Sequence, residues 1–480
     1  MLRNKFIKEI FTYGFAGVAS RFIGIFLIPL YTRMFNPAEY GLLDLLITSS
    51  SIMVLISGLQ IESGVARSYY EAEQKGTTRD LIGTSIILYV LSAVPFIAIL
   101  VLGIIYGGII GYQGIMWKHL IPILAGLLPA QFVGLALTVL RLQHNLNLFI
   151  FLSIGDILLS SILSIIAIVI FKYGVIGALW GLFISKLFWT IVSACILYGF
   201  YNIKLKLNYI KEILIYSIPT VPSTIIGWTQ NFANRFILVA TLSISAVGIF
   251  SLSVKIASII TIIITAFRMA WYPYALELMG KPEAPDKYAH VMDYYWIGIF
   301  MIAAFVGASS DLLVMILSTN KYSEAARFVG FLSMGLLWNG AVQILGIGID
   351  YVRKTYLGLI GISIGTIVNM LILILTVAKW GIMAAAVSYM IGSIITSLII
   401  YFISQRHFYI PYRLVSIYVI ALISIILPFV FYLNIGISGI HNIIYGSIVK
   451  IAITCIICII ITWVILPKKD RHRILLFIST

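Results

Sequence analysis

Of the charged side chains within stretches otherwise apolar enough to cross a bilayer, nine offer the most chemistry in this chain. The cations are Arg21, Lys186, Arg235, Lys255, Arg268 and Lys450, and the acids are Glu62, Asp156 and Asp311. Charge inside hydrocarbon is costly, so such groups face a cavity or one another and mark function by default. Six cations against three acids leave the membrane interior positive. A positive intramembrane cavity suits an anionic substrate, and the guanidinium fork of Arg21, Arg235 or Arg268 suits phosphate oxygens.

Each has a plainer reading. Arg268 and Glu62 lie near span ends, where interfacial charges are ordinary. Lys450 falls in the last span, where a lysine snorkels or meets a lipid headgroup. Lys186 and Asp156 face the choice between substrate and each other. Arg21, Arg235 and Lys255 lie deeper, leaving Arg21, Arg235, Lys255, Arg268 and Lys186 as the candidate substrate-binding set. Asp44 and Glu62 are 18 residues apart, about five helical turns, so a continuous helix puts both on one face with Ser49, Ser57 and Gln60 nearby. That face lines water or sugar, or forms a polar helix seam.

The elements that must position these groups are all helices. Of 480 residues 61% are hydrophobic and 10% charged, and the mean hydropathy is +1.08. A hydrocarbon core of about 30 Å takes roughly 20 apolar residues as helix. Spans are expected near 9–33, 41–66, 81–107, 120–141, 147–171, 175–200, 212–240, 246–270, 289–317, 325–349, 356–378, 381–403, 413–434 and 442–466. The fold class is therefore all-α, a polytopic membrane protein of about 14 transmembrane helices. The net charge of +15 is read through its distribution and not as a nucleic-acid footprint. With the N-terminus inside, 20 of the 32 Lys and Arg fall in inner loops and tails and six outside. Both termini are then cytoplasmic. The first span follows Arg3–Lys8 but is long and lacks a small-residue cleavage pattern, which makes it an uncleaved anchor.

The chain repeats itself at an interval of about 207 residues. Tyr40-Gly41-Leu42 matches Val247-Gly248-Ile249, and Gly174-Val175-Ile176-Gly177-Ala178 matches Gly381-Ile382-Met383-Ala384-Ala385. This predicts two six-helix lobes, 1–203 and 204–406, followed by two additional helices and a basic tail over 407–480. Six spans per lobe make the repeats parallel around an axis along the membrane normal, enclosing a central cavity with alternating access.

No Walker-type loop is present, no His pairs with Glu as on a metal-binding helix, and no loop is long enough to fold around a nucleotide. No cofactor and no metal are expected, nor an enzyme. Cys455 and Cys458 share a redox spacing but sit in an apolar span, where packing is the expected role. Gly103/Gly107, Gly177/Gly181 and Gly361/Gly365 read as close-packing seams. Trp271-Tyr272-Pro273-Tyr274 and Tyr294-Tyr295-Trp296 read mostly as interfacial belts.

Pro29-Leu30-Tyr31-Thr32-Arg33 with Asn36-Pro37-Ala38-Glu39-Tyr40-Gly41 resembles the first hairpin of Wzx-type polysaccharide flippases, of the multidrug/oligosaccharidyl-lipid/polysaccharide exporter superfamily. Arg141-Leu142-Gln143 through Gly155-Asp156 to Tyr173–Ala178, and Val247-Gly248-Ile249-Phe250-Ser251 with Lys255, resemble later parts of the same family. The resemblance implies a flippase turning an undecaprenyl-pyrophosphate-linked oligosaccharide from the inner to the outer leaflet of the bacterial cytoplasmic (inner) membrane, for O-antigen, capsule or similar polysaccharides. It implies pyrophosphate contacts at Arg21, Arg235, Lys255 and Arg268, and proton coupling or charge balance at Glu62, Asp156 and Asp311. The implied partners are that lipid-linked oligosaccharide, membrane lipid, a polysaccharide polymerase and a chain-length regulator. A lipid II-type flippase, a multidrug/cation antiporter and a membrane-embedded glycan polymerase or acyltransferase are the alternatives.

Overall fold

The computed structural model describes residues 22–107, 115–354, 356–432 and 440–465. Among them twelve helices are long and apolar enough to cross a membrane, and there is no strand. The expected fourteen spans are thus met by twelve. The first, expected at 9–33, lies mostly outside the described residues, with Phe22–Met34 as its shorter visible part. The seventh, expected at 212–240, is broken near Ala233 and is not among the twelve, and the eighth, expected at 246–270, is broken at Ser258 into a shorter helix, Ile244–Ala257, and the span Ile259–Leu278.

The chain forms two compact units. Unit 1 comprises residues 1–232 and 243–248, and unit 2 comprises 233–242 and 249–480. In unit 1, α1 is Ile28–Met34 and α2 is Pro37–Gly58. The start of α2 is written in the sequence: Asn36 accepts from the Glu39 amide while the Glu39 carboxylate accepts from the Asn36 amide, with Pro37 in the first turn. There follow α3 (Ile61–Gln74), α4 (Thr78–Tyr106), α5 (Trp117–Leu142), α6 (Leu146–Ile165), α7 (Gly174–Ile196) and α8 (Leu207–Phe232). A π-helical turn, Ile166–Ile170, extends α6.

Unit 2 opens with α9 (Asn234–Thr241). Helix α10 (Ile244–Ala257) is shared between the units, and α11 (Ile259–Leu278), α12 (Ala284–Ala308), α13 (Ser310–Leu317), α14 (Ala326–Leu345), α15 (Ile347–Tyr351), α16 (Tyr356–Trp380), α17 (Ile382–His407), α18 (Leu414–Tyr432) and α19 (Ile440–Ile465) follow. The hairpins α6–α7 and α16–α17 each turn on a glycine with positive φ, 58° at Gly174 and 55° at Gly381, a conformation that costs other residues dearly.

The cores differ in chemistry. Unit 1 is built on aliphatic contacts such as Ile61, Val65, Leu81, Leu135 and Leu152. Unit 2 is centred on α14, flanked by α12, α17 and α18, with Trp296, Trp338, Tyr288 and Tyr295 wholly buried. Trp296 and Trp338 lie 4.8 Å apart between ring centroids. The Tyr295 hydroxyl donates to the Leu337 carbonyl and the Trp271 indole to that of Gln343, so Tyr295 and Trp271 bury their polar ends satisfied, whereas the buried Trp296 indole meets no acceptor among the described residues. Trp271, Tyr295 and Trp296 are therefore core and not interfacial belt, whereas Tyr272, Tyr274 and Tyr294 are exposed.

The glycine pairs also divide. Cβ atoms at Gly181 and Gly361 would lie 2.7 Å from the Ser164 amide and 2.5 Å from an Ile400 side-chain carbon, so both sit in tight helix seams. Among the described residues Gly103 has nothing within 4 Å of an added Cβ and forms no seam. In unit 1, a Cβ on Gly41 would overlap the Ile244 carbonyl, and one on Gly248 would overlap the Pro37 carbonyl. The contact is reciprocal at the interval of the sequence repeat, since 244 − 37 and 248 − 41 are both 207.

Candidate functional site

Glu62 sits just beyond an elbow. Helix α2 stops at Gly58, and Leu59 and Gln60 both adopt left-handed backbone, φ 47° and 56°, before α3 begins at Ile61. Two consecutive non-glycine residues in that region store strain of about 1–2 kcal/mol each. The expectation that Asp44 and Glu62 share one continuous helical face is therefore corrected, because the helix joining them is broken between them.

Helix α5 is notched to receive the elbow. Gln131 donates to the Ser57 hydroxyl at 2.5 Å. A Cβ at Gly134 would overlap Glu62 Oε1, and Thr138 donates to Glu62 Oε2 at 3.5 Å. Gln131, Gly134 and Thr138 are three and four residues apart and so lie on one stripe of α5. Sequence reasoning missed this stripe. Its signal was present, since small and polar residues at that spacing on an otherwise apolar helix mark a polar seam.

The second arrangement of unit 1 joins α6 to α7. Lys186 Nζ lies 2.5 Å from Asp156 Oδ2, and the Ser185 hydroxyl donates to Asp156 Oδ1 at 3.3 Å. The lysine side chain remains 32% exposed because it lines a cavity of about 360 Å³ among α2, α5 and α7, whose walls include Ser50, Ser51, Pro122, Gly126 and Phe183. A larger groove of about 560 Å³ opens along the same hairpin at the π-helical turn, lined by Leu163, Phe171, Trp180 and Ile184. It carries no charged side chain and offers nothing to orient a polar ligand.

The remaining candidates belong to unit 2. Arg235, at the start of α9, is 3% exposed, and its guanidinium lies 5.8 Å from the centroid of the Phe250 ring. Its neighbour Asn234 donates to the Ala385 carbonyl and accepts from Asn369. Lys255 on α10 and Arg268 on α11 are exposed. Arg21 lies outside the described residues.

Asp311, in the first turn of α13, is held by Lys450 of α19 at 2.6 Å. A second ion pair, joining the segment just before α18 to α12, was not anticipated. The Arg413 guanidinium lies 3.5 Å from Asp293 and also donates to the Ile465 carbonyl at 2.8 Å. Lys450 thus meets a carboxylate inside the protein in place of a lipid headgroup. Among the described residues no three or more His, Cys, Asp or Glu side chains converge as metal ligands.

Known proteins bear out the architecture. The lipid II flippase MurJ, in an inward closed conformation, superposes with a TM-score of 0.72 at 13% identity, over 94% of this chain and 97% of that one. A multidrug resistance MATE family transporter of the MOP superfamily, inward-facing, matches with 0.66 at 15% identity, over 82% and 94%. The Vibrio cholerae MATE transporter VcmN in its bent form matches with 0.54 at 16% identity, over 84% and 97%. At these identities the likeness is one of fold, and it makes this chain a multi-pass membrane protein of the MATE and MurJ architecture. No curated protein matches the sequence. The family described as polysaccharide biosynthesis protein matches residues 6–279, more than half of the chain, and the protein belongs to that family.

Proposed function

We propose that the protein is a flippase that carries an undecaprenyl-pyrophosphate-linked oligosaccharide repeat unit from the inner to the outer leaflet of the cytoplasmic membrane, with both termini cytoplasmic. The observation that carries the reading is the extent of the shared fold. The lipid II flippase accounts for 94% of this chain, whereas the two MATE transporters account for 82–84% while being 94–97% covered themselves. The lipid II flippase thus covers about a tenth more of this chain than the drug transporters do. Family membership supports the polysaccharide side of the reading. The positive balance of intramembrane charge favours an anionic headgroup over a cationic drug. In this reading Arg21, Lys255 and Arg268 engage the pyrophosphate, and Arg235 supports that field from within unit 2.

The test is leaflet transfer in vesicles containing the purified protein. The substrate is a fluorescent undecaprenyl-pyrophosphate oligosaccharide, read by its loss of protection from a membrane-impermeant quencher. Wild type should transfer it, and Lys255→Ala with Arg268→Ala should slow transfer at least tenfold while the protein stays monodisperse. A second reading, a lipid II-type flippase, follows from the same coverage. Transfer of lipid II but not of the oligosaccharide lipid would establish it. Failure of wild type to move either lipid would overturn both.

A further inference from the structure

We infer that the cavity of unit 1 among α2, α5 and α7 is a subsite for one neutral pyranose ring of the lipid-linked glycan. The inference rests on the flippase reading and adds to it a place where sugar is recognised apart from pyrophosphate. The cavity, about 360 Å³, falls at the small end of ligand pockets, which run from about 300 to 1,000 Å³. Its walls are mainly carbon, from Pro122, Gly126 and Phe183, with Lys186 and the hydroxyl-bearing Ser50 and Ser51 set among them. A sugar ring has the matching surface: carbon–hydrogen faces above and below, and hydroxyls around its edge.

The charge state of the site selects the ligand. Lys186 is already neutralised by Asp156 at 2.5 Å, so a further anion gains little there. An ammonium carries three donors, and the Asp156 contact takes one of them. With the lysine side chain 32% exposed, the remaining donors are positioned for neutral acceptors. Hydroxyl groups both donate and accept, and can bridge between the ammonium and the carboxylate without altering net charge. A lipid chain or an apolar drug in the same space would leave the remaining donors of the ammonium desolvated and without acceptors.

The opposite wall is already oriented. Ser51 accepts from the Trp228 indole at 2.8 Å and donates to the Thr48 carbonyl at 2.7 Å, which fixes that stretch of α2. The repeat in unit 2 is built differently at the corresponding positions. At the interval of 207, Lys186 corresponds to Ser393 and Gly126 to Ser333, both buried. The device thus belongs to unit 1, as expected for a site that reads one end of an asymmetric glycan.

The experiment compares two probes in the same vesicles, undecaprenyl pyrophosphate carrying a neutral hexose and undecaprenyl pyrophosphate without sugar. Gly126→Leu fills the cavity while keeping both members of the ion pair in the sequence, and a Cβ there meets only Phe183, at 3.8 Å. Lys186→Met with Asp156→Leu removes the pair as a whole and leaves no orphaned charge. The expected result is about tenfold slower transfer of the glycosylated probe in both variants, the scale of one lost hydrogen bond to a charged group, with the sugar-free probe unchanged. Equal slowing of the two probes, or no effect on either, would overturn the subsite. If the double variant fails to fold, Gly126→Leu alone decides. Transfer of neither probe by wild type would instead sink the flippase reading on which the subsite depends.

Discussion

Unit 1 and unit 2 each hold a lysine against an aspartate at nearly the same distance, 2.5 Å for Lys186–Asp156 and 2.6 Å for Lys450–Asp311. Their surroundings separate them. The Lys186 side chain is 32% exposed on a cavity wall, whereas that of Lys450 is 9% exposed and closes onto the break between α12 and α13. Geometry alone therefore does not assign a role to an intramembrane ion pair. A sealed pair that joins distant segments serves as a fastening, and one that opens on a cavity has donors to spare for a ligand. The cores agree with this division. Unit 2 is filled with interlocked aromatic rings, and unit 1 has a strained elbow, a polar notch beneath Glu62 and a cavity.

The most damaging way to test the comparison is to break one partner in each pair. Lys450→Met leaves the half-buried Asp311 without its cation, and stranding a charge in this way costs up to about 3–5 kcal/mol. We expect a large drop in the apparent melting temperature in detergent, with recovery in Lys450→Met/Asp311→Leu, where no charge is left over. Lys186→Met should cost less, because the Ser185 hydroxyl still donates to Asp156 once the lysine is gone. Thermal unfolding followed by tryptophan fluorescence checks both. Equal destabilisation by the two single variants would erase the distinction between fastening and open pair.

Much of this was legible in the sequence, for identifiable reasons. Continuous apolar runs give helices in any membrane protein, so most spans could be read directly. Gly174 and Gly381 were visible as matching punctuation and prove to be the positive-φ turns of two hairpins. The Lys186–Asp156 pair could be anticipated because adjacent spans must pack. The Lys450–Asp311 pair could not, since 139 residues separate its members and only the tertiary fold brings them together. The elbow was hidden for another reason: Leu59 and Gln60 are neither glycine nor proline, and nothing local announces left-handed backbone there. Aromatic clusters were ambiguous because a run such as Tyr294-Tyr295-Trp296 points in several directions, and composition does not say which ring turns inward.

Helix glycines sharpen the comparison at intermediate cost. A Cβ at Gly365 would overlap the Thr396 hydroxyl and lie 2.7 Å from the Gly392 carbonyl, in the seam between α16 and α17 of unit 2. Gly365→Ala must push backbone apart, and overpacking of this kind costs about 1–3 kcal/mol. The same unfolding assay should register the loss.

Gly103 supplies the smallest and opposite effect. It lies within α4 of unit 1 with nothing among the described residues within 4 Å of where a Cβ would be, so an added methyl displaces none of them. Alanine restricts the unfolded backbone and suits a helix interior better than glycine, by about 0.5–1 kcal/mol. Gly103→Ala should therefore raise the melting temperature slightly and leave transfer unchanged. A fall in stability instead would mean that another helix packs against Gly103 in the bilayer, and that α4 takes part in a seam that Gly361 and Gly365 were thought to distinguish from it.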